Sequence, residues 1–391
     1  MADVRGAPTD AATADGVRVE HTSRPERLGQ AGWDQLAGGG ALYASAAWLQ
    51  LAQDTMQGDS HYLLGWDGGG LASGLACYLF RTEAPFAPRA RIDRTLARCL
   101  SLDGTAAAGP RSRVLTRLLP NLACGGRQIA DTRLLLADRL AGSQRPHAIR
   151  ATVAAAERLA AGCGAASLSF NCVDGGDHEL RRELLAAGYR EFFNMQRCVL
   201  KIEFADLEGY LGRFRHHRRN TIRSELRRLD AAAMRYESSP LERVPLATLA
   251  ELERNLLRRY GVRRSPQQIE ASLRELAARF AGRAIAATGH LDGQLAGFVA
   301  LVRWRDHLHA REAGFDYERL AGLPAYFGIM FYQVIELACR TGAVAIDYGT
   351  GSIATKVSRG CEAIDLYGYV RCLDERVGVE LSRLLAGQPG G

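Results

Sequence analysis

Two stretches of this chain repeat each other in kind and in order, and that internal doubling constrains the fold more than any other feature. The first is Leu64-Gly-Trp-Asp-Gly-Gly-Gly-Leu-Ala-Ser-Gly-Leu-Ala-Cys-Tyr-Leu-Phe80; the second is Gly289-His-Leu-Asp-Gly-Gln-Leu-Ala-Gly-Phe-Val-Ala-Leu-Val-Arg-Trp304. Each reads as a strand, an Asp-Gly turn (Asp67-Gly68, Asp292-Gly293) and an apolar strand carrying a glycine, which is a β-hairpin pattern. A second matched pair follows at a distance. Glu157 to Phe170 and Glu336 to Gly349 each read as the end of an amphipathic helix, a glycine stop (Gly164, Gly342) and a short buried strand. Helix-glycine-strand units are common in α/β proteins, but two matched pairs in one order point to duplication. The 391 residues are also too many for one ordinary core.

The second copy is the cleaner. Its pattern predicts helices near 247–260 and 266–281, and strands near 284–291, 295–304 and 307–317. A long helix near 323–341, a strand at 343–348, a short helix near 352–360 and a strand at 364–371 complete it. The expected organisation is a disordered lead over residues 1–20, an amino-terminal lobe over 21–205, a basic helical linker over 206–230 and a carboxy-terminal lobe over 231–391. The fold class is α/β, two lobes with mixed central sheets flanked by helices.

Composition narrows the setting. Apolar residues make up 47% and charged residues 24%, the balance of a globular protein. No run approaches the roughly 18 apolar residues of a membrane span. The lead has no apolar signal-peptide core, which implies a cytoplasmic protein. Nine cysteines without a CxxC pair imply buried thiols in a reducing compartment, and no ligand spacing suggests a metal. The net charge of +7 is carried almost wholly by arginine, since Lys201 and Lys356 are the only lysines. An anionic partner is a weak inference from the total; the placement of the charges says more.

Three stretches hold candidate chemistry. In Tyr210 to Leu229, Arg215, Arg219, Arg223 and Arg227 recur every four residues, Arg213, Arg218 and Arg228 broaden the stripe, and Glu225 is the only acid beyond Leu211. Leu211, Phe214, Ile222, Leu226 and Leu229 form the anchoring side. Like charges at that spacing repel, so a phosphate is one resolution and counter-charges from elsewhere in the fold are the other. In Asp347-Tyr-Gly-Thr-Gly-Ser-Ile-Ala-Thr-Lys-Val-Ser-Arg-Gly360, Gly349 and Gly351 permit a sharp turn after a buried strand, and Ser352 opens a helical turn bearing Lys356 and Arg359. A lysine there can face a developing oxyanion and an arginine a phosphate or carboxylate, or both are surface cations on a capped helix. In Ala310 to Tyr317, alternation puts Arg311 and Ala313 on one face and Glu312 on the other. Glu312 is either a base for an attacking ammonium, if burial raises its pKa, or half of a structural ion pair. Tyr326 is a leaving-group hydroxyl or a packed tyrosine. Asp174-Gly-Gly-Asp-His178 in the first lobe reads as a turn capping a helix near Glu179 rather than a metal loop.

The strand and helix order resembles the GNAT N-acyltransferase superfamily, and the doubled form resembles its FemAB-like group, which includes the Fem peptidyltransferases that use aminoacyl-tRNA. Tyr210 to Glu225 looks like that group's basic helix. Ala310 to Tyr317 with the Tyr326 helix looks like its fourth strand and long helix, and Asp347 to Gly360 like its glycine and Lys-x-x-Arg-Gly signature. The resemblance spans roughly residues 27–375. It implies two tandem GNAT-like lobes, a catalytic second lobe with Lys356, Glu312 and Tyr326, and a degenerate first lobe that shapes an acceptor cleft. Arg215, Arg218, Arg219, Arg223, Arg311, Arg359, Asp347, Tyr348, Gly349, Gly351 and Ser352 become its binding residues. Acetyl-CoA-dependent members carry a Gln/Arg-x-x-Gly-x-Gly/Ala loop for pyrophosphate; here Asp316-Tyr-Glu-Arg-Leu-Ala-Gly-Leu-Pro-Ala-Tyr326 has one glycine, Gly322, and an acid, Glu318. The expectation is amide formation from aminoacyl-tRNA onto an amine of a small molecule or peptide, by direct attack and with no bound cofactor. Acyl-CoA is the alternative donor, and a non-enzymatic nucleic-acid-binding protein is the rival of another class.

Overall fold

The computed structural model describes residues 16–55, 59–81, 91–102, 110–126 and 131–386. The lead expected over residues 1–20 lies outside the described residues as far as residue 15. Its end is already ordered, because Arg18–Thr22 is a strand paired antiparallel with Tyr62 to Trp66. Two compact units form: Met1–Gln196 with Ile364–Gly391, and Arg197–Ala363.

In the first unit the strands lie in the order Arg18–Thr22, Asp59–Asp67, Gly70–Phe80, Asn121–Cys124, Ser167–Asp174 and the carboxy-terminal strand Glu362–Cys372. Neighbours are antiparallel except Asn121 to Cys124, which runs parallel to Ser167 to Phe170. The helix Gln144–Gly162 lays Ile149, Val153, Ala156 and Ala160 on Leu75, Leu79, Leu122 and Phe170. It stops where Gly164 turns left-handed at φ +66°, a conformation only glycine adopts without strain. Asp177 caps the next helix, His178–Ala186, by accepting from the Leu180 amide at 3.1 Å, and Asp174 accepts from the Gly176 amide at 2.8 Å. The Asp-Gly-Gly-Asp segment is therefore a turn and a cap. A cavity of about 510 Å³ opens beside it, lined by Thr132, Arg133, Arg145, Asp174 and Asp177.

The second unit repeats this order: Arg235–Pro240, Ala284–Leu291, Gln294–Trp304, His307–Phe315, Ala345–Gly349 and, last, Cys198 to Lys201. Its parallel pair is again the fourth with the fifth strand, His307 to His309 beside Ala345 to Asp347. Common strand order, the two hairpins and the matching parallel pairs establish the duplication. In each unit the sixth strand comes from far along the chain, from residues 362–372 in the first and from before residue 202 in the second. The lobe boundaries expected at 205 and 231 follow the chain, whereas the compact units follow these strand pairings.

The basic segment expected as a linker belongs to the second unit. It is two helices, Leu207–Gly212 and His216–Ala231, broken at Arg213 to Arg215. Leu211, Ile222 and Leu229 are buried, with Phe214 and Leu226 packed beside them, which matches the anchoring side read from sequence. Helices Leu246–Arg259 and Pro266–Arg279 follow, the second opened by a capping box of Ser265 and Gln268. The first lies directly on strand His307–Phe315 at Gly314, where a Cβ would meet Leu252 C and Glu253 N at 2.3 Å. The long helix runs from Ala325 to Thr341 with one π-helical turn, Gly328–Tyr332, and ends at Gly342 (φ +66°).

Candidate functional site

Strands His307–Phe315 and Ala345–Gly349 pair over only three residues and then part. Two local irregularities coincide with this. Gly349 turns left-handed at φ +64°, followed by Gly351 at +83° and Ser352 at +49°. On the other strand the pairing with Gln294–Trp304 jumps from Ala300↔Glu312 to Leu301↔Ala310, leaving Arg311 as an extra, bulged residue. This overturns simple alternation for the pair. Arg311 and Glu312 do not sit on opposite faces; the bulge re-aims Arg311, whose Nη2 lies 3.6 Å from Glu312 Oε1.

At the vertex sits a buried charged group. Asp347 lies 3.4 Å from Arg197 and 3.7 Å from His309 Nδ1, and it accepts from the Gly349 amide at 2.7 Å. Burial alone would raise its pKa, but His309, Arg197 and the amide together pull it down to about 2. Asp347 thus fixes the start of the glycine turn as a carboxylate. Tyr348, next to it, is buried with its ring 4.7 Å from Phe331, and its hydroxyl finds no hydrogen-bond partner among the described residues.

Lys356 is buried. Its Nζ donates to the carbonyls of Tyr348 at 2.6 Å, Thr350 at 2.9 Å and Gly349 at 3.3 Å. All three donors of the ammonium are spent on the loop that carries the signature glycines. Burial lowers its pKa, against the neighbouring Cys198, Cys361 and Asp347. Arg359 is also buried. It donates to both Glu225 oxygens at 2.8 and 3.0 Å, and its guanidinium stacks 3.6 Å above the Phe327 ring. Glu225, the acid within the arginine stripe, also accepts from the Tyr332 hydroxyl. Tyr210 ties the arrangement from below by donating to the Arg359 carbonyl at 2.9 Å. In this structure Lys356 and Arg359 are therefore internal ties and not surface cations. Ser352, in contrast, is exposed at the mouth of the turn and caps nothing with its side chain.

The arginine stripe is divided among partners. Arg219 donates to the Phe214 carbonyl at 2.8 Å, Arg223 pairs with Glu208 at 2.8 Å, and Arg228 holds the Gly322 carbonyl. Arg215 is the residue before the helix, with extended backbone. Arg215 and Arg227 are exposed and Arg218 is half-buried, and none of the three has an acidic partner among the described residues. Tyr326 packs 5.6 Å from Phe315 and 5.4 Å from Phe327, and burial pushes its hydroxyl up to about 12.

One titratable group near Glu312 has no sequence signal. Glu253, on helix Leu246–Arg259, is 2% exposed, and neither carboxyl oxygen has a hydrogen-bond partner among the described residues. Burial first, and then the Glu312 charge, raise it to about 8, against Arg264 and Arg311. The burial that a base reading asks of Glu312 is found here instead, since the Glu312 side chain is 35% exposed.

A doubled mixed sheet whose fourth and fifth strands part is a tandem GNAT-type fold. Residues 216–356 match the family described as Acetyltransferase (GNAT) domain. The family match covers this part of the second unit, and the fold of the chain is that of tandem GNAT proteins. Among solved structures, FemX is similar at 13% identity and TM-score 0.64, over 93% of this chain and 99% of that one. The tandem GNAT protein from the clavulanic acid biosynthesis pathway is 13% identical, with TM-score 0.50 over 91% of this chain and 98% of that one. L-PGS from Bacillus licheniformis is 13% identical, with TM-score 0.52 over 94% and 98%. No curated protein matches the sequence. The chain is an acyltransferase enzyme, and the GNAT fold implies an activated acyl donor. No helix among the described residues is long and apolar enough to cross a membrane.

Proposed function

We propose that the chain transfers an aminoacyl group from aminoacyl-tRNA to an amine on a small molecule or peptide. The observation that carries this reading is the state of the loop before the long helix. A pyrophosphate cradle needs free amides at a helix start. Here the Arg319 amide donates to the Asp316 carboxylate at 3.0 Å, and Leu320 to the Asp316 carbonyl at 3.0 Å. Ala321 and Leu323 donate within the same loop at 3.2 and 3.1 Å. With those loop amides committed, side-chain cations are the better match for a donor's phosphates, and Arg215, Arg218 and Arg227 have no acidic partner among the described residues. The Fem resemblance points the same way.

Catalysis is direct attack in a ternary complex. Glu312 takes the proton of the acceptor ammonium, and Tyr326 offers a hydroxyl to the leaving group. The strand amides beyond His309, where the partner strand has departed, face the acyl carbonyl. Asp347, Tyr348, Lys356, Gly349, Gly351 and Ser352 shape the turn along which the donor lies, and Arg359 fixes the basic helix to it. The deciding experiment offers the protein charged tRNA pools and acyl-CoAs side by side with a panel of amines. Consumption of the tRNA ester with amide formation is expected. Consumption of acyl-CoA with the tRNA ester untouched would overturn the donor assignment and leave the acyltransfer standing.

A further inference from the structure

Glu253 is an unusual group to find buried: a carboxyl 2% exposed, on a helix laid against a sheet, with both oxygens lacking hydrogen-bond partners. Its position follows from Gly314. Because that residue has no side chain, the backbone at Leu252 and Glu253 descends onto the strand. Gly314 and Glu312 lie two residues apart beyond the bulge, in regular register opposite Phe298 and Ala300, so Glu312 projects to the face that the helix covers. The charged groups that act on Glu253 from the elements around it are Glu312 and Arg311 of the strand and Arg264, whose Nη1 is 3.7 Å from Glu253 Oε1. On its own helix, Arg254 is taken by Glu251.

We propose that Glu253 and Glu312 act as one coupled carboxyl pair that holds a single proton at neutral pH, with the half-exposed Glu312 as the proton acceptor and the buried Glu253 as its positioning residue. Two carboxyl groups sharing a site cannot both ionise freely, so the proton rests on the member that solvent does not reach. The catalytic half of this inference rests on the acyltransfer reading; the pairing itself does not. In the reaction the substrate ammonium gives one proton to Glu312, and the freed lone pair forms the N–C bond to the acyl carbon. The acyl C–O bond then breaks, the departing oxygen takes the second proton lost by nitrogen, and Glu312 returns its proton to solvent.

The test uses the full chain and needs no substrate for its first arm. Infrared difference spectroscopy on wild type is expected to show a protonated carboxyl band at neutral pH that is absent from Glu253→Gln, an isosteric change whose melting curve verifies the fold. In Glu312→Gln that band should be lost at a pH lower by about one unit or more, because the like charge is gone. No band at neutral pH in wild type, or its loss at the same pH in Glu312→Gln, overturns the pair. In the second arm, Glu253→Gln should move a limb of the kcat/KM profile. An unmoved profile overturns the positioning role. Absence of transfer from every donor would fail the functional reading while the infrared arm still decides the pair.

Discussion

Lys356 shows how a side chain can match a family signature and yet be occupied in an unexpected way. Its ammonium holds the three carbonyls of Tyr348, Gly349 and Thr350, so it fixes the turn. Lys356→Met keeps the stem and leaves those carbonyls unpaired. A destabilisation of about 3 kcal/mol is expected, together with a loss of turnover. Lys356→Arg should rescue neither, because a planar fork does not reproduce a point donor inside three converging oxygens. Full thermal stability in Lys356→Met with turnover lost would instead return the lysine to direct contact with the reacting atoms. Asp347 offers a pH test. Its folded-state pKa of about 2 lies below the ordinary value of 3.8, so its stabilisation is complete above the ordinary value and is lost as pH falls through about 2. Urea midpoints of wild type and Asp347→Asn should therefore converge on acidification over that window, the wild type giving up about 2 kcal/mol. Neither role was legible from sequence. The signature singled out the segment of Lys356 and Asp347, but a side chain's partners are set by how the turn closes. Likewise the bulge at Arg311 is invisible to an alternation rule, and Glu253 acquires its burial from a glycine far along the chain.

At the scale of elements, sequence periodicity served well wherever a face is apolar. The helices at 246–259 and 266–279, the strands from 284 to 315 and the glycine-stopped helix ending at Thr341 all lie close to their expected bounds. The strand Arg235–Pro240 was missed because its sequence, RYESSP, has no apolar alternation; as the edge of its sheet it is bonded on one side only. The basic helix was read correctly as an anchored cationic element, but its stripe of four arginines is not a bare surface. The break at Arg213 to Arg215 brings Glu208 onto Arg223, and helical drift carries Arg219 back to the Phe214 carbonyl. The electrostatic test therefore changes. If tRNA is the donor, Arg218→Glu with Arg227→Glu should weaken its binding and flatten the dependence of affinity on salt, by roughly one unit of slope for each phosphate no longer neutralised. Arg359→Met should act differently, by leaving the largely buried Glu225 without its cation, and show mainly as destabilisation of about 3 kcal/mol. Filter binding across a salt series, with melting curves alongside, separates the two; an unchanged salt slope in the double variant would remove this helix as the phosphate site.

At the scale of the whole molecule, what the chain order conceals is which strand completes which sheet. Duplication was visible because the hairpins and the helix-glycine-strand units repeat locally. The sixth strands were not assignable, because pairing between Ser167–Asp174 and residues 366–372 joins segments separated by the entire second unit. The consequence is a prediction about truncation. Residues 364–371 were expected as the last strand of the second lobe, and a last helix, Glu375–Ala386, follows them. In the first unit, however, Val370, Val377 and Leu381 pack with Ile92, Leu96, Leu118 and Phe192 in one apolar cluster. A chain ended after Cys361 would leave the Ser167–Asp174 edge without its partner and that cluster open. An unpaired apolar edge is a template for aggregation. The truncated chain is expected to be aggregated by light scattering and to lose near-ultraviolet circular dichroism, even though the strand order of the second unit does not include the removed residues. A chain ended after Ala386 should remain monodisperse with an unchanged melting temperature. If the Cys361 truncation proved as soluble and as cooperative in melting as the full chain, the carboxy-terminal strand would not be an integral part of the first unit's sheet.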